Sequence, residues 1–320
     1  MNRRTLLAAA AAPPFAARAQ EAWPTRPLRF IVPFAPGGST DALSRLSAQM
    51  LNERLGQSVV VENIAGAGGI IGAQKVAEAA ADGYTLMGGT PGPIAINPHL
   101  MKSMPYDVMR DLAPVVFVGD SPGVLVVNKA SRFHSVAELI AASKTTRGGL
   151  TFASAGVGSF AHLAAELFRW RSGAELVHVP YRGTAPAAAD VLAGRADFMV
   201  ENYPSVQPWI ASGDFRVLAV GLGRRFSQLP NVPTMAEAGV ANCEASSWFG
   251  LFTRAGSPAT AIGAMNRAVN EGLRTPAVLA KLAELGVEPT GGTPAAFRAL
   301  IEQRLAEMGQ VVRAAGIEPQ

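Results

Sequence analysis

Cysteine is almost missing from this chain. Cys243 is the only one in 320 residues, so an internal disulfide is impossible and thiolate-rich zinc or iron–sulfur sites are excluded. It reads as an inert small residue, with a nucleophile as the minor alternative. Charge is scarce as well. Only 16% of residues are charged, and the net charge of +4 falls to +1 once Arg3, Arg4 and Arg18 of the first nineteen residues are set aside. A balance so close to neutral gives no global reason to seek nucleic acid or anionic lipid. No charge-free apolar run reaches the length of about 18 residues that a membrane span needs. The four histidines, His99, His134, His162 and His178, form no H-E-x-x-H and no pair at helical spacing, which leaves a metal site without support. No Walker lysine follows any Gly-rich stretch, and Ala161 stands where a nucleophile elbow around Ser159 would need its last glycine. The sequence therefore assigns no catalytic residue, no metal and no cofactor.

What is present is core material. Hydrophobic residues make up 49% of the chain, and its 320 residues are enough for about two domains. Residues 1–19 read as an export signal. Arg3-Arg4 opens it, an Ala/Leu run follows, Pro13-Pro14 breaks that run, and Ala17-Arg18-Ala19 supplies a cleavage pattern before Gln20. The paired arginines leave both the twin-arginine and the general secretory route open. Short apolar runs at 28–33, 58–62, 84–88, 114–118, 124–127, 150–153, 176–179, 197–200 and 216–220 read as strands. They alternate with helical patterns, which argues for parallel α/β architecture. Capping boxes at Ser135/Glu138 and Thr234/Glu237, and the pairs Ser257-Pro258 and Thr293-Pro294, mark helix starts. No long linker separates two halves, so the chain should cross between lobes more than once, through 111–126 and 246–253.

Two loops carry most of the functional signal. Phe34-Ala35-Pro36-Gly37-Gly38-Ser39-Thr40-Asp41 leaves the first strand and opens a helix; Ser154-Ala155-Gly156-Val157-Gly158-Ser159 does the same in the second half. Each sets glycines and hydroxyls at a helix N-terminus, where unpaired N–H groups and the positive dipole end attract anions. Taken singly, Ser39, Thr40 and Ser159 read as ordinary N-caps; taken together, at the carboxyl ends of strands in two lobes, the loops point to an anion held in a cleft. Gly66 to Gly72 reads as a tight turn rather than a dinucleotide loop, because the next strand ends without an acid for a ribose. Thr90 lines the same edge or starts a turn. Arg182 reaches an anion or stays solvated, and Glu201-Asn202 meets a ligand or steadies a loop.

The loop Pro33 to Asp41 resembles a hallmark of the periplasmic solute-binding receptors of tripartite tricarboxylate transporters, the Bug-type receptors. Further matches run in order: Val60-Val61-Glu62-Asn63, Gly66 to Gly69, Asp82 to Leu86, Met104 to Asp107, Ala153 to Leu163, Val179 to Gly183, Leu229 to Gly239, Trp248 with Gly250, and Ala315-Gly316-Ile317. The resemblance implies a type II periplasmic-binding-protein fold, with two α/β lobes closing on a ligand cleft and joined by two crossing segments. The first lobe would comprise 20–120 and 247–320, and the second 121–246. It also implies a periplasmic monomer that captures a small carboxylate and passes it to transporter membrane subunits. Carried over by position, the contacts are Phe34, Ala35, Gly37, Gly38, Ser39, Thr90, Ser154, Gly158, Ser159 and Tyr181. Glu201 joins them on a wall where the family often has Phe-Asp-Asn and this chain has Val200-Glu201-Asn202. A periplasmic protein signalling to a membrane sensor would use the same cleft, and a secreted hydrolase would need Ser159 to turn over an ester.

Overall fold

A computed structural model of the chain describes residues 23–34, 36–157, 159–181 and 184–319. The export-signal reading, Ala35, Gly158 and Arg182 lie outside these residues. The chain opens with β1 (Leu28–Val32), α1 (Ser39–Leu55), β2 (Val59–Asn63), α2 (Ile70–Ala77) and β3 (Thr85–Gly89). Short helices α3 (Asn97–Leu100) and α4 (Val108–Asp111) lead into the long strand β4 (Leu112–Asn128). Next come α5 (Val136–Thr145), β5 (Leu150–Ser154), α6 (Phe160–Ser172), β6 (Leu176–Pro180), α7 (Thr184–Leu192), β7 (Phe198–Asn202), α8 (Tyr203–Ala211) and β8 (Phe215–Val220). The return strand β9 (Ser246–Arg254) is followed by α9 (Ala259–Gly272), α10 (Pro276–Glu284), β10 (Glu288–Pro289) and α11 (Pro294–Ala314).

Two parallel three-stranded units, β2-β1-β3 and β6-β5-β7, form the hearts of the two lobes. Buried runs such as Phe30–Val32 and Phe152–Ala153 fit strands covered on both faces by helices. One strand joins the two units. Over Leu112–Pro122, β4 pairs antiparallel with β9 in the first lobe; from Gly123 onward it pairs with β7 and β8 in the second. The sequence sets separate strands at 114–118 and 124–127 within an extended crossing at 111–126, and the chain runs through Gly119-Asp120-Ser121-Pro122-Gly123 as one strand. Proline lacks the N–H that a ladder needs, and Pro122 sits where β4 changes partners, so the loss is tolerated there. Gly123 is required by close approach: a Cβ would stand 2.8 Å from the Ala245 carbonyl oxygen and 3.1 Å from the Phe160 ring.

The last helix serves both lobes. Phe297 and Ile301 of α11 pack in a core with Phe117, Trp248 and Phe252, while Val311 and Val312 pack with Leu163, Leu167 and Phe168 of α6. Its apolar face continues past one core into the other. One departure concerns the helix start expected at Thr234. Its hydroxyl accepts from the Glu237 N–H at 3.0 Å and the Glu237 carboxylate accepts from the Thr234 N–H at 2.9 Å. This reciprocal cap closes a single turn that ends at Gly239, with no helix beyond it. Among the described residues, no helix is long and apolar enough to cross a membrane.

Candidate ligand-binding cleft

The first-lobe loop is braced from beneath. Asp41, in the first turn of α1, is 5% exposed. Its carboxylate accepts from the Gly37 N–H and from Arg45 Nε, both at 3.0 Å, and from Asn63 Nδ2 at 2.9 Å. Asn63 Nδ2 also donates to the Phe34 carbonyl oxygen at 3.0 Å, tying the end of β2 to the same loop. Burial pushes the Asp41 carboxyl upward, but the bonds from Arg45, Gly37 and Asn63 outweigh it and hold it at about 2. The brace is therefore ionised throughout the neutral range, with Arg45 offsetting its charge. Gly38, not Ser39, is the N-cap of α1, and no side chain caps the turn. The Ser39 side chain is exposed at the first helical position. The first-turn amides of α1 thus have no side-chain acceptor of their own.

The second-lobe loop is built differently. Ser154 is fully buried, and its hydroxyl contacts His178 Nε2 at 2.6 Å while accepting from the Gly156 N–H at 3.1 Å. It therefore braces the loop that leaves β5. Ser159 is the N-cap of α6, its hydroxyl accepting from the His162 N–H at 3.2 Å. The His162 ring lies 4.0 Å from that of His178, stacked at 11°. The sequence separates these histidines by sixteen positions and by an element boundary, so helical spacing could not reveal the pair. Burial, then His178 and Arg169, push the His162 ring down to about 4, and burial lowers His178 as well. A Ser–His side-chain bond thus occurs at buried Ser154.

The remaining candidates form the wall. The Tyr181 hydroxyl donates to Asp190 at 2.6 Å, and its N–H donates to the Ser154 carbonyl oxygen at 2.9 Å. Glu201 is 4% exposed; it accepts from the Thr184 hydroxyl at 2.8 Å and from the Asn202 N–H at 2.7 Å. Burial raises its carboxyl above the ordinary range, partly offset by those two donors. Thr90 is half-buried just past the end of β3. Neighbours of these residues in the chain line two separate cavities. Pro91, next to Thr90, and Phe160, next to Ser159, line one cavity, while Val157 at the tip of the second-lobe loop shares another with Gly68 and Asn97 of the first lobe. Phe34 reaches the same region, since a Cβ on Gly69 would stand 3.1 Å from its ring. Residues from both halves of the chain thus meet in each of these cavities. Asp41, Asn63, His178 and Thr184 are the supporting residues that the sequence did not single out. Asp41 had a signal in the Arg45 four positions on; His178 had none. Among the described residues, no group of three or more His, Cys, Asp or Glu could hold a metal ion.

The model of the tripartite tricarboxylate transporter family receptor matches residues 43–317. Protein BugT of Bordetella pertussis is 43% identical over 297 residues, covering 92% of this chain and 91% of that protein. An R. palustris structure with adipate superposes with a TM-score of 0.77 at 38% identity, over 93% of this chain and 100% of the other. MatC from Rhodopseudomonas palustris with bound malate gives 0.73 at 29% identity, over 91% and 100%. With a family match over most of its length and relatives that span it nearly end to end, the chain belongs to the tripartite tricarboxylate transporter receptors, periplasmic solute-binding proteins of the Bug type.

Proposed function

We propose that this protein is exported by the signal in residues 1–19, captures a small carboxylate in the interlobe cleft, and delivers it as a monomer to transporter membrane subunits. The observation that carries this reading is the pairing of two helix N-termini, α1 and α6, each following the carboxyl end of a parallel strand in a different lobe. First-turn amides and the positive end of each helix suit an anion, and the uncapped first turn of α1 leaves donors free for one. Relatives described with adipate and with malate support the carboxylate class. Phe34, Ala35, Gly37, Gly38, Ser39, Thr90, Gly158 and Ser159 would meet the ligand, while Ser154, Tyr181 and Glu201 would shape the wall behind them. A thermal-shift screen of mono-, di- and tricarboxylates tests the reading. At a concentration 100 times Kd the ligand should add about 2.7 kcal/mol to apparent stability. If only amines or neutral sugars shift the melt, the anion assignment is wrong.

A further inference from the structure

At the first turn of α6 lies a cavity of about 40 Å³ that the anion chemistry does not use. Both sides of the cleft line it: Ile96 from the segment after β3, Met308 from α11, Phe160, Leu163 and Ala164 from α6, and Trp248 from β9. Its lining includes Pro91, the neighbour of Thr90, and Phe160, the neighbour of Ser159. The polar members of its lining are Glu244, Ser246 and Arg304, and Arg304 Nη1 already donates to Glu307 at 2.8 Å. Folded interiors leave few voids larger than a water molecule, and a mainly apolar void favours an apolar guest. A ligand hydroxyl placed there would lose water without gaining many partners.

We propose that this cavity seats the apolar part of the ligand, so that the preferred carboxylate carries a compact alkyl group beside its charged end. The inference rests on the carboxylate reading of the cleft and narrows it. Because α6, α11 and β9 together enclose the cavity, an alkyl group placed there would touch both lobes and favour their closed arrangement. The volume exceeds the roughly 10–15 Å³ that one water needs and is close to the roughly 30 Å³ share of one liquid water. The preference should therefore saturate after one or two carbons.

Calorimetry on the full mature chain tests this with two ladders: straight-chain acids from acetate to hexanoate, and succinate carrying a methyl, ethyl or phenyl branch. Affinity should rise about fourfold for each methylene buried, the equivalent of ~0.8 kcal/mol, and then level off. Ala164→Leu, which fills the cavity, should erase the advantage of the branched acids over the unbranched. Met308→Ala, which enlarges it, should move the optimum to the larger branches. Circular dichroism checks that each variant is folded. If Ala164→Leu fails to fold, the ladders and Met308→Ala still decide. Flat ladders, with both the native protein and Met308→Ala binding carboxylates, would overturn the cavity proposal alone. If no carboxylate binds the native protein, the carboxylate reading itself falls, and the cavity proposal falls with it.

Discussion

Asp41 shows how a residue outside the contact surface can fix it. Its buried carboxylate gathers donors from Gly37, Arg45 and Asn63, so the loop backbone is held while the first-turn amides of α1 keep no side-chain acceptor. Gly38 occupies the N-cap with φ of −83° and ψ of 172°, and a Cβ there would meet nothing within 4 Å. Any residue can adopt that backbone, so substitution need not strain the fold. Asn is among the best N-caps, and its side-chain oxygen would accept from the first-turn amides. Gly38→Asn should therefore move stability and binding in opposite directions. The ligand-free protein should gain a few tenths of a kcal/mol, while affinity for its carboxylate falls at least tenfold, ~1.4 kcal/mol. Denaturant melts and calorimetry on the same preparation measure both. Unchanged affinity in a stabilised variant would mean that the amides of α1 do not hold the anion.

At the scale of elements, the parallel strands and their order along the chain were legible because each is a short apolar run bounded by Gly or Pro. The two crossings were legible as extended apolar stretches. Capping was less so: Thr293 caps α11 as its sequence suggests, whereas the equally good box at Thr234 closes only one turn. A cap starts a helix but cannot lengthen it without an apolar face to bury. Least legible was the support of the second-lobe loop, because β5, β6 and α6 bring Ser154, His178 and His162 together only in three dimensions. That cluster has a pH consequence. The unfolded His162 should titrate near its ordinary value of about 6.5, and in the fold it titrates at about 4. The unfolded chain takes up the proton first, so the stability contribution is complete above about pH 6.5 and is lost as pH falls toward 4. Glu201 works the other way, since burial raises its carboxyl and acid relieves the cost of keeping it charged. Between about pH 7.5 and 5, the melting temperature of His162→Gln should therefore fall less than that of the native protein. Parallel curves for the two would remove His162 from this account.

At the scale of the whole molecule, the lobes share more than a hinge. The strand β4 belongs to both sheets, β9 runs back beside it, and α11 places Phe297 in one core and Val311 and Val312 in the other. Phe297 is central to this arrangement. Its ring lies 5.4 Å from Phe117, 5.9 Å from Trp248 and 5.1 Å from Phe252, all on the crossing strands. Gly250 makes room for it, because a Cβ there would stand 2.2 Å from the ring. Loosening this cluster should weaken β4, β9 and α11 together, so the damage cannot stay within one lobe. Scanning calorimetry of the native protein should accordingly show one transition. Phe297→Ala should cost about 3–5 kcal/mol, as large-to-small changes in a packed core do, and it should lower that transition as a whole. If a separate transition persists at the native temperature in Phe297→Ala, one lobe stands alone. In that case α11 rests against both lobes without coupling their stability.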